Sequence, residues 1–372
     1  MIRLAHFSTT SRSLRFATLT LCAISGACAG AGDARAPLPL RHIVDISLSG
    51  NATRLDYQSF DASRHMLFIA HMGDGAVIAV DTQRRRVVAT IPNISNVHGV
   101  LAVPVLHTVF ASATGTNEIV GIDESTFKIT GRWKTGAYPD GIAFEPRTRH
   151  VFVSNERGGT DTVIDLRHSL DVATIPLGGE VGNTQYDAAS GHIFANAEGL
   201  GALVEIDPSN NRVLRRTPLT GCRGNHGLLI DARRRRAFIA CEGNATLLWI
   251  DLRTMRTAAR WHTGENPDVL ALDSKNERLY AASESGIVAI FSAGARPAPI
   301  ARGFLAAGAH TVAIDPSTHV LYVPLENVGG HPVLRLMAPQ VSAPAGTVKN
   351  VSDVTLKHVS PTADRASRHE KR

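Results

Sequence analysis

Acidic and imidazole side chains recur in this sequence at a nearly fixed spacing. Successive positions lie 42 residues apart, or 44 in one case, and six of the seven carry Asp or His. The series is Asp56, His98, Asp140, Gly182, His226, Asp268 and His310. Asn183, next to the exceptional glycine, offers a polar side chain in its place. Carboxylates and imidazoles bind metal ions and transfer protons near neutral pH, so these are candidate ligand-binding residues.

A second series follows the same period and is richer in glutamate. Its members are Met72, Thr114, Glu156, Glu198, Glu242, Glu284 and Glu326. If both series lie on one face of a repetitive fold, they form a funnel of carboxylates and imidazoles that attracts cations. Such a funnel suits a small cationic ligand or one divalent metal ion, for which His98, His226 and His310 are the candidate ligands. Residue types alone leave zinc, copper, nickel, iron and manganese open.

A structural role explains the same residues in another way. Asp and His in repeated loops often cap a turn or hydrogen-bond to the neighbouring repeat. That role predicts the same residue in every repeat, whereas the first series alternates between Asp and His and the second loses Glu in two repeats. The variation favours a ligand site for the first series, which is called the inner series below. The glutamates of the second, or outer, series are each also explained as solvated loop charges.

The elements that must position these residues follow from an aromatic repeat. An aromatic residue recurs at Phe68, Phe110, Phe152, Phe194, Phe238, Tyr280 and Tyr322. Thirteen residues after the first five of them comes an aspartate preceded by Val or Ile. A period in the low forties with several short strands per copy is typical of β-propeller blades. The sequence therefore predicts an all-β, seven-bladed propeller with four-stranded blades.

The alternation of apolar residues predicts the strands within a blade. In the third copy they are Asp140 to Phe144, His150 to Ser154, Thr160 to Asp165 and Asp171 to Pro176. The seventh copy has only three clear strands, and residues 41–49 resemble the end of the first copy. We therefore expect an N-terminal strand to close the ring. In such a blade both polar series lie on one face, around the central channel.

The ends of the chain differ from the repeats. Residues 1–29 combine a cationic start, an apolar run and Ala27-Cys28-Ala29, which together predict a cleaved signal peptide and export to a periplasm. The run is too short for a membrane span, and a lipoprotein is the less favoured alternative. Residues 30–40 are interpreted as a linker, 41–338 as the propeller and 339–372 as a disordered basic tail. After cleavage Cys222 and Cys241 remain, and they are candidates for a disulfide or for two separate thiols.

Arginines concentrate in the turns of the opposite face. They include Arg84 to Arg86, Arg147, Arg149, Arg167, Arg212, Arg233 to Arg236, Arg253, Arg256 and Arg278. With a formal net charge of +6, this face could bind nucleic acid or another anionic partner, although solubility explains it as well. The familiar serine-hydrolase, zinc-protease, P-loop and haem-attachment motifs are absent from the sequence.

The repeat also resembles a known family. Segments such as HVFVSNERGGTDTVIDL (150–166), HMLFIAHMGDGAVIAVDTQRRRVVATIPN (65–93) and RLYAASESGIVAI (278–290) are similar to the YVTN-type repeat of YncE-like exported seven-bladed propellers. The resemblance covers about residues 41–337, with Phe in place of Tyr in five blades. It implies an exported, mostly non-enzymatic protein with poorly defined ligands, DNA among them for some members. A similar architecture also serves lactonases.

Two function classes follow from the sequence. The favoured one is a periplasmic binding or scaffold protein whose funnel takes a small ligand, a metal ion or another exported protein. The alternative is a metal-dependent hydrolase or lactonase, in which the cation polarises a carbonyl and a His or Asp acts as general base. Nucleic-acid binding through the arginine face is a third possibility. The sequence does not indicate an oligomeric state.

Overall fold

The computed structural model describes residues 37–340, all in one compact unit. The predicted signal peptide, most of the linker and the tail from residue 341 lie outside the described residues. Short strands and one-turn helices, joined by turns and loops, make up the repeat region. None of the helices among residues 37–340 has the length and apolar character that a membrane crossing requires.

Twenty-eight strands occur in the described chain. The first fourteen are β1 (Leu40–Ser47), β2 (Gln58–Asp61), β3 (Met66–His71), β4 (Ala76–Asp81), β5 (Arg86–Ile91), β6 (Val97–Val103), β7 (Thr108–Ala113), β8 (Glu118–Asp123), β9 (Ile129–Lys134), β10 (Pro139–Glu145), β11 (His150–Asn155), β12 (Thr160–Asp165), β13 (Leu170–Pro176) and β14 (Val181–Asp187). The others are β15 (His192–Ala197), β16 (Ala202–Asp207), β17 (Arg212–Pro218), β18 (Asn225–Asp231), β19 (Arg236–Cys241), β20 (Thr246–Asp251), β21 (Arg256–His262), β22 (Pro267–Asp273), β23 (Arg278–Ser283), β24 (Ile287–Ser292), β25 (Ala298–Phe304), β26 (Ala313–Ile314), β27 (Leu321–Val328) and β28 (His331–Pro339). One-turn 3₁₀ helices lie at Met72–Asp74, Pro104–Leu106, Thr114–Thr116, Glu198–Leu200, Ala232–Arg234 and Glu242–Asn244.

These strands form seven antiparallel sheets of four strands each. Six sheets use consecutive strands, from β2–β5 to β22–β25, and the seventh has the order β26-β27-β28-β1. The inner strands contact one another in a closed cycle, in which β26 contacts both β22 and β2. The predicted seven-bladed propeller with four-stranded blades is therefore confirmed, and in the third blade the predicted strands match β10–β13 to within one residue.

The seventh sheet is built from both ends of the described chain. Strand β1 pairs antiparallel with β28, from Leu40 opposite Pro339 to Ser47 opposite Val333. The inner strand β26 is only two residues long. This blade thus has the shortest inner strand, and its neighbours at the channel are blade 6 on one side and blade 1 on the other.

The repeated aromatic residues form the centre of the core between blades. Six of the seven are at most 2% exposed, and Tyr322 is 3% exposed. Phe194 of blade 4, for example, lies in one apolar cluster with Ile239 and Leu248 of blade 5. Full burial of one such side chain contributes about 1.5–3 kcal/mol. The aromatic period predicts the fold because each copy must bury its faces against the next blade.

The repeated aspartates that end the third strands have a structural role. The carboxylate of Asp123 accepts hydrogen bonds from the amides of Ser125 and Thr126, and that of Asp251 accepts from the Arg253 amide. These contacts hold the tight turn between the third and fourth strands, as Asp commonly does in turns. They lie at the face opposite the two polar series and take no part in the site described below.

Candidate cation-binding cavity

The inner polar series sits in irregular positions of the innermost strands. In blades 2 to 6 the pairing register between the first and second strands shifts where these residues stand, for example between Pro139 and Ile142 and between Pro267 and Leu270. Such β-bulges bend a strand and redirect its side chains, and they are common next to functional sites. The bulge turns Asp140 and Asp268 toward the central channel.

The residue that follows each member of the inner polar series determines how open the central channel is. Three blades have glycine there, and a Cβ atom on Gly99 or Gly227 would lie 2.0 Å from the carbonyl oxygen of Asp140 or Asp268. Only glycine tolerates this approach of neighbouring backbones. Blades 1 and 4 instead place Tyr57 and Asn183 at this position, and both side chains extend into the channel.

Tyr57, Asn183 and Asp268 close the channel near its middle. Tyr57 and Asp268 line both of the two cavities along the axis, of about 580 and 500 Å³, and Asn183 lines the smaller one. The Asn183 amide donates to the Tyr57 hydroxyl at 2.7 Å, and that hydroxyl lies 3.0 Å from Asp268 Oδ1 and 3.1 Å from His226 Nε2. These contacts join four blades across the channel, so the larger cavity is a closed cup rather than a pore.

The cup is strongly acidic. Eight carboxylates line it, together with a single guanidinium and two imidazoles. The acidic residues are Asp56, Asp140, Glu156, Glu180, Glu198, Glu242, Asp268 and Glu284, and the guanidinium is that of Arg54. A cavity with this charge balance attracts cations and repels anions. Among the described residues, this is the place where the two sequence series meet.

The structure brings most, but not all, of the predicted residues into this lining. Asp56, His98, Asp140, His226 and Asp268 line the cup, and so do Glu156, Glu198, Glu242 and Glu284. Asn183 lines the smaller axial cavity instead. His310 is fully buried beside Asp56 and Asp268. Glu326, in the last blade, is half-buried and does not line the cup. The outer series therefore contributes four glutamates, from blades 3 to 6.

The three histidines have different partners. His98 Nδ1 lies 2.8 Å from the Asn96 carbonyl, which can only accept, so Nδ1 carries the proton and Nε2 accepts from the Tyr138 hydroxyl at 3.1 Å. His226 Nδ1 lies 2.7 Å from Glu198 Oε1, and its Nε2 is 3.4 Å from Asp140 Oδ2. His310 Nδ1 lies 3.1 Å from the Gly308 carbonyl, while its Nε2 has no hydrogen-bond partner.

His226 is held as a cation. Burial opposes its charged form, but hydrogen bonds to Asp140 and Glu198 outweigh burial and raise the pKa of His226 well above its ordinary value. An imidazolium between two carboxylates offers no lone pair. This arrangement argues against His226 as a general base or metal ligand.

Four carboxylic acids of the cup resist ionisation, as their raised pKa values show. Burial, followed by the charge of Asp140, raises the pKa of Glu156 to about 7, and burial raises that of Glu242 to about 7 against the opposing effect of His226. Burial and then the charge of Asp268 raise the pKa of Asp56. The pKa of Asp268 is also raised, mainly by burial. At neutral pH the cup therefore holds protons that a bound cation would displace.

Arg54 neutralises one side of the cup. Its Nη2 donates to Glu284 Oε1 at 2.7 Å, and its Nε lies 3.5 Å from Asp56 Oδ2. Burial raises the pKa of Glu284, but the hydrogen bond from Arg54 and the charge of His310 outweigh burial and lower it. Glu284 thus has a fixed counter-charge, as Glu198 has in His226.

Two groups of side chains in residues 37–340 place possible ligand atoms close together. Asp56, Asp268 and His310 form one group, and His226, Glu242 and Asp268 form the other, with all ligand atoms of a group within 4.8 Å of one another. Neither group contains two of the three histidines, and His98 is in neither. The predicted set of His98, His226 and His310 therefore does not meet around a single point among the described residues.

Sequence reasoning missed Arg54, Tyr57 and Tyr138, all of which line the cup. The guanidinium of Arg157 lies 3.9 Å from the ring centroid of Tyr138, which fixes that ring above His98. A signal for Tyr57 exists in the sequence, since the residue after the inner position is Gly in three copies and aromatic only in the first. Arg54 leaves no such signal because the corresponding loops vary in composition.

A disulfide joins Cys222 and Cys241 at the rim of the cup. It fastens the loop before β18, which carries His226, to the end of β19. The next residue, Glu242, donates its backbone amide to the Gly224 carbonyl at 2.8 Å. The cross-link thus holds two cup-lining residues in place.

The arginine-rich face is less basic than the sequence indicates. Arg236 is buried in an ion pair with Asp231, and Arg235 lies 3.1 Å from Asp187. Arg147 pairs with Glu145 at 3.2 Å, and Arg234 pairs with Glu277. Part of the predicted basic surface is therefore neutralised locally.

Comparison with known proteins supports the fold. No family model matches the sequence, and no curated protein matches it. Among solved structures, the chain is similar to hydrazine synthase of Kuenenia stuttgartiensis, with a TM-score of 0.64 and 16% identity over 75% of this chain and 94% of that chain. At this identity the likeness supports the propeller fold alone.

Proposed function

We propose that this chain is an exported binding propeller, of the kind its YncE-like repeat suggests, whose acidic cup binds a small cationic ligand. The observation that carries the proposal is the charge balance of the cup, eight carboxylates to one guanidinium. Buried carboxylates without counter-charges destabilise a fold unless they bind a cation or a proton. A propeller fold is compatible with a binding or scaffold role.

The hydrolase alternative receives less support from the site. A general base needs a free lone pair near its working pH, whereas His226 is held as a cation between Glu198 and Asp140. Nucleic acid is also disfavoured as a ligand of the cup, because its phosphates would meet a cavity of the same sign.

The test is a calorimetric titration of the propeller with Mn²⁺ and with an alkylammonium ion at pH 7. We expect saturable binding of at least one of them, weakened roughly tenfold or more in the Glu156→Gln/Glu242→Gln variant because two attractive charges are removed. Glu326→Gln is the matched control, since Glu326 has the same place in the repeat but does not line the cup. Absence of binding to either cation, or equal affinity in both variants, would contradict the proposal.

A further inference from the structure

The strongest cluster of possible ligands lies where the first and last blades meet. We propose that Asp56, Asp268 and His310 form a binding site for one divalent transition-metal ion. This proposal rests on the proposed function and specifies the cation. The three residues come from blades 1, 6 and 7, which are consecutive around the ring.

Geometry and burial single out this group. The ligand atoms lie within 4.8 Å of one another, and the exposed fractions are 2% for Asp56, 5% for Asp268 and 0% for His310. Metal bonds to carboxylate oxygen and imidazole nitrogen are about 2.0–2.2 Å long. Small side-chain shifts therefore suffice to bring all three ligand atoms onto one ion.

His310 supplies the observation that is independent of the acidic residues. Its Nδ1 donates to the Gly308 carbonyl at 3.1 Å, so Nε2 is the ring nitrogen left for a metal ion. This Nε2 is buried and has no hydrogen-bond partner. A buried, unpartnered nitrogen destabilises the fold, and a metal ion would satisfy it.

Each proposed ligand is also oriented by a second contact. The Gly308 carbonyl fixes His310, the Tyr57 hydroxyl lies 3.0 Å from Asp268 Oδ1, and Arg54 Nε lies 3.5 Å from Asp56 Oδ2. Metal ligands in proteins are usually held in this way, with the remaining atom directed at the ion. The other oxygen of each carboxylate is left for coordination.

The competing group fits a metal less well. It shares Asp268 but uses His226, whose two nitrogens already face Glu198 at 2.7 Å and Tyr57 at 3.1 Å. A metal there would have to break these contacts. His310 needs no such rearrangement at Nε2.

The ligand set predicts the class of ion. Two carboxylate oxygens and one imidazole nitrogen suit Co²⁺, Zn²⁺, Mn²⁺ or Fe²⁺ better than Mg²⁺ or Ca²⁺, which prefer oxygen alone. The set has no thiolate or thioether, which Cu⁺ would select. Further coordination positions face the cup and remain open to a water molecule or a second ligand.

The experiment is a titration with Co²⁺ at pH 7, followed by visible absorption, of the parent, Asp56→Asn, His310→Gln and Glu326→Gln. Asp56→Asn preserves shape, and circular dichroism verifies folding of each variant. We expect one ion per chain, with affinity reduced roughly 100-fold or more in the first two variants and unchanged in the control. His310→Gln should also alter the absorption bands, because a nitrogen ligand is lost.

The outcomes separate this proposal from the proposed function. Co²⁺ binding that survives Asp56→Asn and His310→Gln but is lost in Glu156→Gln/Glu242→Gln would overturn the metal site and leave a cation-binding cup. Binding of an alkylammonium ion but not of Co²⁺ would do the same. If the parent binds neither Co²⁺ nor any other cation, both proposals fail.

Discussion

At the scale of single residues, Tyr57 determines the shape of the site. One hydroxyl contacts Asn183, His226 and Asp268 from three other blades, and the tyrosine ring separates the two axial cavities. The Tyr57 phenol resists ionisation, since burial and the charge of Asp268 raise its pKa. It therefore acts as a neutral donor and acceptor at the base of an acidic cup.

Replacing Tyr57 by Phe tests this role. The ring still closes the channel, but Asp268, His226 and Asn183 each lose a partner. We expect the free energy of unfolding to fall by about 1–3 kcal/mol, because buried polar groups are left unsatisfied. Chemical denaturation measures the change.

Tyr322→Phe offers a matched control, since its ring is also buried but lies outside the cup. An equal loss of stability in both variants would mean that the Tyr57 network contributes nothing beyond the packing and polarity that any buried tyrosine provides.

At the scale of elements, the bulged inner strands and their connecting loops hold the site. The loop before β18 carries the Cys222 end of the disulfide, and β19 carries Cys241, 19 residues later. A cross-link across a loop of this length stabilises a fold by about 3 kcal/mol in the chain-entropy model. The cross-link also fixes the backbone beside His226 and Glu242.

The Cys222→Ala/Cys241→Ala variant should therefore melt several degrees below the parent. Differential scanning calorimetry measures the shift. Adding a reductant that reaches the bond should lower the melting temperature of the parent and leave that of the variant unchanged. If the parent and the variant melt together, the cross-link does not stabilise this blade.

The sequence predicts the elements better than the site. The spacing of the aromatic residues predicts the number of blades, because each blade packs against the next through the same position. Phe194 and Phe238 are two examples of this packing. The alternating pattern locates the strands of the third blade to within one residue. The positions of Asp140 and Asp268 at the channel also follow from the period alone.

The chemistry of each side chain could not be predicted in the same way. His98, His226 and His310 occupy equivalent repeat positions, yet their hydrogen-bond partners differ. The bulge beside Asn183 depends on pairing between strands, which the local pattern does not encode. His310 Nδ1 contacts the carbonyl of Gly308, two residues earlier, and its Nε2 has no hydrogen-bond partner. This arrangement depends on the conformation of the loop.

At the scale of the whole molecule, the buried acids make stability depend on pH. The pKa values of Glu156, Glu242, Asp161 and Glu124 are each raised to about 7, with burial as the leading cause. The folded protein thus holds protons that the unfolded chain releases at about pH 4.5. Stability therefore falls as pH rises from about 4.5 through 7.

Other titrating groups do not reverse this trend. The raised pKa of His226 contributes stability that is present below pH 6.5 and is lost as the pH rises through its folded value. Glu145 and Asp315 have lowered pKa values because hydrogen bonds from their turns outweigh burial, so their contributions are complete above about pH 4.5. A cation in the cup replaces the protons and should restore the stability lost at higher pH.

The measurement that tests this account most directly is thermal unfolding at pH 5.5 and pH 8, with and without Mn²⁺. The ion is added at 1 mM, which is about 100 times an assumed Kd. We predict a melting temperature about 5 °C or more lower at pH 8 without the ion. Mn²⁺ should recover part of that difference at pH 8, because Glu156 and Glu242 line the cup whereas Asp161 and Glu124 do not. The ion should have little effect at pH 5.5 and lose its effect in Glu156→Gln/Glu242→Gln. A melting temperature that rises with pH, or that Mn²⁺ leaves unchanged at pH 8, would contradict a cation-binding cup.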